Sequence, residues 1–307
     1  MKIRVGLIVA YFVANILPRS IQRKIGEKLG GFLLKRIRKK GIARKNIELC
    51  YPQFSKDQVD QLIQENATNL GVATIDWCIS WFWPDQKIKK HFPHRIEGLE
   101  FLQQDDGKGV LLLVKHSQHF MLDMRVLGAY HELCAMTNDW KHSSYLNKKY
   151  QKARSQACKG GTALPSESLK LLRWLKKGKT VLYAPDHDYG LKHSIIARFF
   201  GVPTATIKAP FKIKKATNCH ICLVDSFYDG DKKLVIKIAE LKHLDDSSQE
   251  NFLQQMNDAI SKDITKHPAE YSWQYNRFKS MNVYEVIPLL NMLIYLIKYR
   301  ESLKISE

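Results

Sequence analysis

The N-terminal half of this chain lacks an apolar run of the ~20 residues that a membrane-spanning helix requires. Its candidate, Val5 to Leu17, is too short for a full span. Acidic residues are almost missing from positions 1–45, where Glu27 alone faces thirteen Lys and Arg side chains. Internal repeats, low-complexity tracts and a convincing linker are absent as well, which excludes a solenoid and favours one main domain. Cysteine is sparse: Cys50, Cys78, Cys134, Cys158, Cys219 and Cys222 are scattered, and only Cys219-His-Ile-Cys222 forms a CxxC. That pair lacks a second ligand pair at zinc spacing and adjoins strand-like Ile221–Val224, so burial is its expected role and no metal is implied. Cysteines used in this way suit a reducing compartment.

What is present is positive charge on a foldable chain. The 307 residues are 45% hydrophobic and 10% aromatic, with a formal net charge of +19. Such a composition excludes a disordered chain. The charge favours polyanionic partners: nucleic acid, anionic lipid head groups or an acidic carrier protein. No nucleic-acid-binding motif accompanies it, and the basic residues cluster beside an apolar helix, so nucleic acid is not the expected partner. A greasy stretch with a basic flank reads as a membrane anchor or an interfacial helix, each cation adding about 1 kcal/mol near anionic lipid. No small-x-small cleavage site precedes Pro18, so retention is expected rather than removal as a signal peptide. The plainer alternative is an N-terminal helix docked on the core.

Helices are expected over 20–40, Ile42–Cys50 and, with Ser55 as N-cap, Lys56–Trp83. The aromatic stretch Asp76–Trp83 reads as core, or as the wall of a lipid groove. Beyond residue 95 strands alternate with helices. The strands are Val110–Lys115, Leu133–Thr137, Thr180–Tyr183, Cys219–Val224 and Lys233–Glu240. The helices are Met121–Leu127, Tyr145–Gln156, Ser166–Lys177 and Gln249–Lys266. Ile207–Ile213 is a mostly apolar stretch. This alternation predicts an α/β fold, a mixed sheet flanked by helices. The expected division is an N-terminal membrane-anchoring segment 1–45, a main domain 46–280 and a C-terminal segment 281–307. Within the last, Val283–Tyr299 reads as an amphipathic membrane helix or a helix packed on the core.

Two strand ends carry the candidate chemistry. Val110–Lys115 leads into His116-Ser-Gln-His119-Phe-Met-Leu-Asp123-Met-Arg125, and Thr180–Tyr183 empties into Ala184-Pro-Asp-His-Asp-Tyr-Gly190. Sheets hold such ends rigidly while the side chains face a cleft. A histidine just after a buried strand is well placed as a general base if an acid fixes its tautomer.

These segments resemble the late acyltransferases of lipid A biosynthesis. The match covers most of the chain. It runs from Asn46-Ile-Glu-Leu-Cys-Tyr-Pro52 through Gly109-Val-Leu-Leu-Leu with His116 and the specific Tyr183-Ala-Pro-Asp-His-Asp-Tyr-Gly190. It continues through Phe199-Phe-Gly-Val-Pro203, Pro268-Ala-Glu-Tyr-Ser-Trp273 and Arg277-Phe-Lys279. The resemblance implies a glycerol-phosphate-acyltransferase-like fold. It also implies acyl transfer from acyl carrier protein to a hydroxyl of a Kdo-bearing lipid A precursor, at the cytoplasmic face of the inner membrane, without a cofactor. His116 would activate the hydroxyl. Asp186, with His187 and Asp188 beside it, would belong to the site. Arg125 would bind a phosphate or buttress its helix. Arg154, with Lys159 as a substitute, is nearest to a functional arginine of the family. Arg277 and Lys279 would meet phosphates or simply face solvent.

One position departs from the pattern. The family's acid, four residues beyond the histidine, would fall at 121, and residue 121 is Met. A thioether is too weak an acceptor to orient an imidazole. Three readings follow. Asp123 serves with His119 as a shifted dyad, since i and i+4 face one another on a helix. Or His116 is oriented from elsewhere, by Asp186 or Asp188. Or the chain is a non-catalytic lipid-binding paralogue. If the chain is an active acyltransferase, Met121→Glu is expected to leave the fold intact, and to raise activity if the site merely lacks an acid.

Overall fold

The computed structural model describes residues 2–137 and 144–281. The expected C-terminal helix, with its apolar run Val283–Tyr299, lies outside the described residues. Four helices come first: α1 (Lys2–Ile16), α2 (Arg19–Lys40), α3 (Ile42–Cys50) and α4 (Lys56–Phe82). Gly41 separates α2 from α3 at φ 68°, a left-handed turn that glycine adopts without cost. Ser55 caps α4 through a reciprocal capping box with Gln58. The α2–α4 crossing is close because three glycines meet there. A methyl on Gly71 would sit 2.1 Å from the Gly26 carbonyl and 2.3 Å from the Gly30 nitrogen.

The α/β part follows as α5 (Asp85–His91), β1 (His94–Glu97), β2 (Val110–Val114), α6 (Phe120–Tyr130), β3 (Leu133–Met136), α7 (Ser144–Ala157), β4 (Gly161–Ala163), α8 (Leu169–Lys176) and β5 (Thr180–Tyr183). It closes with β6 (Ser194–Phe199), β7 (Val202–Ile207), α9 (Ala209–Thr217), β8 (His220–Tyr228), β9 (Leu234–Glu240) and α10 (Gln249–Lys266). Seven strands form one sheet in the order β1-β9-β8-β2-β5-β3-β4. Every neighbouring pair is parallel except β8–β9. β2 and β5 are buried along their whole length, as strands covered on both faces must be. Leu111, Leu113 and Val181 face one core, against α3, α4, α8 and α10. Val110, Leu112 and Leu182 face the other, against α6. Cys219 and Cys222 are both buried, one in each core.

Several elements differ from the sequence reading. The helix expected from Ser166 begins at Leu169, because Pro165–Glu167 forms a 3-10 turn in which Glu167 accepts the Leu164 N–H. Ile207–Ile213 divides between the end of β7 and the start of α9, whose Pro210 suits a helix's first turn. The family-like Phe199-Phe-Gly-Val-Pro203 is the tip of the β6–β7 hairpin. Phe200 and Gly201 take φ 52° and 76° there, the conformation of a two-residue primed turn. The Asp76–Trp83 stretch is neither all core nor all groove. Ile79 and Trp83 are buried, Trp77 is 37% exposed, and buried Asp76 pairs with Arg19 at 2.5 Å.

The N-terminal segment is packed on the main domain rather than apart from it. Trp83 donates its indole N–H to the Ala14 carbonyl at 2.8 Å, and Tyr11 meets Phe82 edge to face. The outer side of α1 nevertheless leaves Ile8, Val9, Phe12 and Ile16 about half exposed or more. Among the described residues, no helix is long and apolar enough to cross a membrane.

Candidate active site

β2 and β5 are neighbours, with Leu113 opposite Tyr183, so their carboxyl ends release two loops side by side. His116 comes from the first loop and Asp186 from the second. Asp186 holds His116 at two points. Its Oδ2 accepts the His116 backbone N–H at 2.8 Å, and its Oδ1 accepts the Nδ1–H at 2.6 Å. Asp186 is fully buried, whereas His116 keeps 24% of its side chain exposed. An imidazole that donates from Nδ1 carries its lone pair on Nε2. No described residue bonds that Nε2, and the ring lines a cavity. Burial alone would raise the Asp186 acid. The contacts with His116 outweigh it and hold the carboxyl well below the usual range.

The loop carrying His116 is clamped by the segment after α10. Ser272 donates its N–H to the His116 carbonyl at 3.0 Å, and Gln118 donates to the Glu270 carbonyl at 2.7 Å. That segment is tied down in turn by two buried amides. Asn46 donates to the Trp273 and Tyr275 carbonyls, and Asn66 to those of Ala269 and Tyr271. His187 lies with one face on His116 and the other on Tyr275. Burial, aided by the neighbouring positive charges and opposed by Asp186, pushes His187 down to about 3, so it is neutral at pH 7.

His119 and Asp123 also pair, but in the interior. His119 caps α6, is 1% exposed, and its Nδ1 lies 2.8 Å from Asp123 Oδ1. Its Nε2 is 3.4 Å from Glu270 Oε2. Asp123 accepts from Ser117 and Ser226 as well. Burial opposes the charged ring, yet the two carboxylates win and raise His119 to about 10. The result is a buried cation between two acids, with no face left to a substrate.

The cavity at His116 has a volume of about 650 Å³. Phe120, Met124, Met136, Leu182 and Ile207 give it apolar walls, and Arg154, Lys192, Lys208 and Lys212 bring positive charge to it. An apolar wall suits an acyl chain, and the cations suit phosphate.

The other expected residues are dispersed. Arg154 lines the cavity and lies 3.9 Å over the Tyr150 ring. Arg125 points into the protein, bonding Asp85 and the Trp83 carbonyl, and so buttresses α6 against α5. Lys159 pairs with the same Asp85. Asp188 accepts from Gly190 N–H and from the Ser280 N–H and hydroxyl, which fastens the chain's later segment to the loop. Arg277 does not face solvent: it is 2% exposed and donates to Thr204 and the Ala205 carbonyl. Lys279 is exposed beside Tyr275. Met121 is 4% exposed within the apolar core under α6. A glutamate there would have to bury its carboxylate, one helical turn from the buried Arg125, whose Nε has no hydrogen-bond partner among the described residues.

Sequence reasoning passed over Tyr275, Glu270 and the lysines of the cavity. Tyr275 and Glu270 act through neighbours distant in sequence, and the lysines reach the cavity only through the fold, so no local pattern marks them. The β6–β7 hairpin carries no standard two-residue turn pair, since Phe200 stands where Asn, Asp or Gly would mark one.

A mainly parallel sheet thus delivers a histidine–aspartate pair to an apolar, cation-rimmed cavity. The chain belongs to the bacterial lipid A biosynthesis acyltransferase family, whose sequence profile matches residues 3–280. It is 31% identical over 280 residues to the lipid A biosynthesis palmitoleoyltransferase of Escherichia coli K12, covering 88% of each chain. To the lauroyltransferase of the same organism it is 27% identical over 291 residues, covering 90% of each. The solved 1-acyl-sn-glycerophosphate acyltransferase of Thermotoga maritima superposes at a TM-score of 0.38 with 13% identity, covering 81% of this chain and 99% of that one.

Proposed function

We propose that this acyltransferase moves a fatty acyl group from acyl carrier protein to a hydroxyl of a Kdo-bearing lipid A precursor, at the cytoplasmic face of the inner membrane. His116 is the general base and Asp186 the acid that orients it. The observation that carries this reading is the 2.6 Å contact between His116 Nδ1 and Asp186 at the cavity wall. With Nδ1–H committed to Asp186, Nε2 takes the acceptor's hydroxyl proton as its oxygen attacks the thioester carbonyl. The oxygen–acyl bond forms, the carbon–sulfur bond breaks, and the imidazolium returns the proton to the departing thiolate.

Asp186 supplies the acid that Met121 does not, which favours an active enzyme over a non-catalytic paralogue. His119 and Asp123 serve as a structural ion pair on this reading. Arg154 and the lysines of the cavity meet the phosphates of donor or acceptor. The half-exposed apolar side of α1, next to the basic α2, supports attachment to an anionic membrane surface.

The test is transfer from acyl carrier protein to a Kdo-bearing lipid A precursor, followed by mass spectrometry of the product. His116→Ala is expected to lose at least ~100-fold in kcat. Wild-type turnover by that variant would remove His116 as the base.

A further inference from the structure

Three rings stand in a column behind the proposed base. His116 and His187 have centroids 3.4 Å apart with planes 8° from parallel. His187 and Tyr275 are 3.6 Å apart at 9°. A centroid separation equal to the thickness of a ring leaves almost no lateral offset. Neutral aromatic rings avoid that arrangement and prefer to slide or to meet edge to face. A cation, by contrast, is drawn to the centre of a ring face.

The column is held in place from both ends. Asp186 fixes His116 by main chain and side chain. Tyr275 donates its hydroxyl to the Asp188 carbonyl at 2.9 Å, and Asn46 holds the Tyr275 carbonyl at 2.6 Å. The titratable groups around His187 are Asp186, His116, Arg277 and Lys279. His187 itself stays uncharged at neutral pH, so it offers His116 a π face and not a second cation. It is absent from the cavity wall, where His116 and Tyr189 stand.

We infer that His187, backed by Tyr275, is a positioning residue that stabilises the imidazolium form of His116 during acyl transfer. The inference rests on His116 being the base. In the proposed step His116 gains a charge with the acceptor's proton, so the stack acts on the transition state and the intermediate more than on bound substrate. Removal of the π face is therefore expected to lower kcat and leave KM nearly unchanged.

The experiment compares His187→Ala, His187→Phe, Tyr275→Leu and His116→Ala in the acyl-transfer assay, with thermal melts to confirm that each folds. His187→Ala is expected to lose about 10- to 30-fold in kcat at constant KM. His187→Phe keeps a π face but cannot carry a proton, and is expected to return to within about 3-fold of wild type. Tyr275→Leu should fall between them. If His187→Phe is as impaired as His187→Ala, the imidazole's own proton or polar contacts are what matter, and the inference is overturned. A rise in KM with kcat intact would overturn it too, by making His187 a substrate contact. An inactive His116→Ala beside a fully active His187→Ala sinks the column alone. A fully active His116→Ala sinks the base assignment and the column with it.

Discussion

Asp186 accepts both the backbone N–H and the imidazole Nδ1–H of His116 although 70 residues separate them. A single carboxylate thereby sets the loop's path, the ring's rotamer and its tautomer. Asp186→Asn keeps the size but replaces one acceptor by an NH2 that would face a donor. A fall in kcat of about 10²–10⁴ is expected, with KM little changed. Steady-state kinetics of the purified variant would measure it, and near-normal kcat would show that His116 needs no acid.

Met121→Glu tests the vacancy in the family's acid position. A carboxyl at 121 would be buried in the apolar cluster under α6, with only Arg125, one helical turn on, placed along the helix to offset its charge. The expected outcome is a loss of about 3 kcal/mol or more in stability and no gain in turnover. Denaturant unfolding gives the first quantity and the acyl-transfer assay the second. A stable, faster variant would mean that the core at α6 can open a path from position 121 to His116.

The buried His119 ion pair makes stability depend on alkaline pH. Its value is raised from 6.5 to about 10 in the folded chain. The folded state thus holds the proton more tightly than the unfolded state. Its contribution is complete below about pH 6.5 and is lost as pH rises through about 10. Unfolding midpoints measured from pH 6 to pH 10.5 should decline for the wild type and decline less for His119→Gln. Parallel profiles would argue that the ring is not charged in the folded protein.

Gly71→Ala and Gly31→Ala form a matched pair. The first drives a methyl into the backbone of α2, and the second has nothing within 4 Å. Gly71→Ala is expected to cost about 1–3 kcal/mol and to expose α2 to proteolysis. Gly31→Ala should be neutral or stabilising by up to about 1 kcal/mol, since alanine is the better helix former. Equal melting temperatures for the two would show that the helix crossing is loose.

Local chemistry made much of the scaffold legible. The α4 N-cap at Ser55, the buried strands β2, β5 and β8, and α10 follow from periodicity and caps that lie within a few residues. The hairpin β6–β7 and helix α9 escaped because their apolar residues merge into one stretch without regular period. In the site, the two histidines and Asp123 stood out together by crowding, and their division did not. His119 reaches Asp123 within one helical turn and is sealed by Glu270, while His116 meets an acid from another strand.

The family, the α/β alternation and the strand ends that bear His116 and Asp186 are legible from the chain because each is written in contiguous residues. Which acid meets which histidine is set by the packing. That choice depends on β2 and β5 lying side by side in the sheet, on Asn46 and Asn66 fastening the 268–278 segment over the loop, and on the ring column that follows. Hydrogen bonds and ring stacks act over about 3–4 Å, and chain order says nothing about which distant residues come that close.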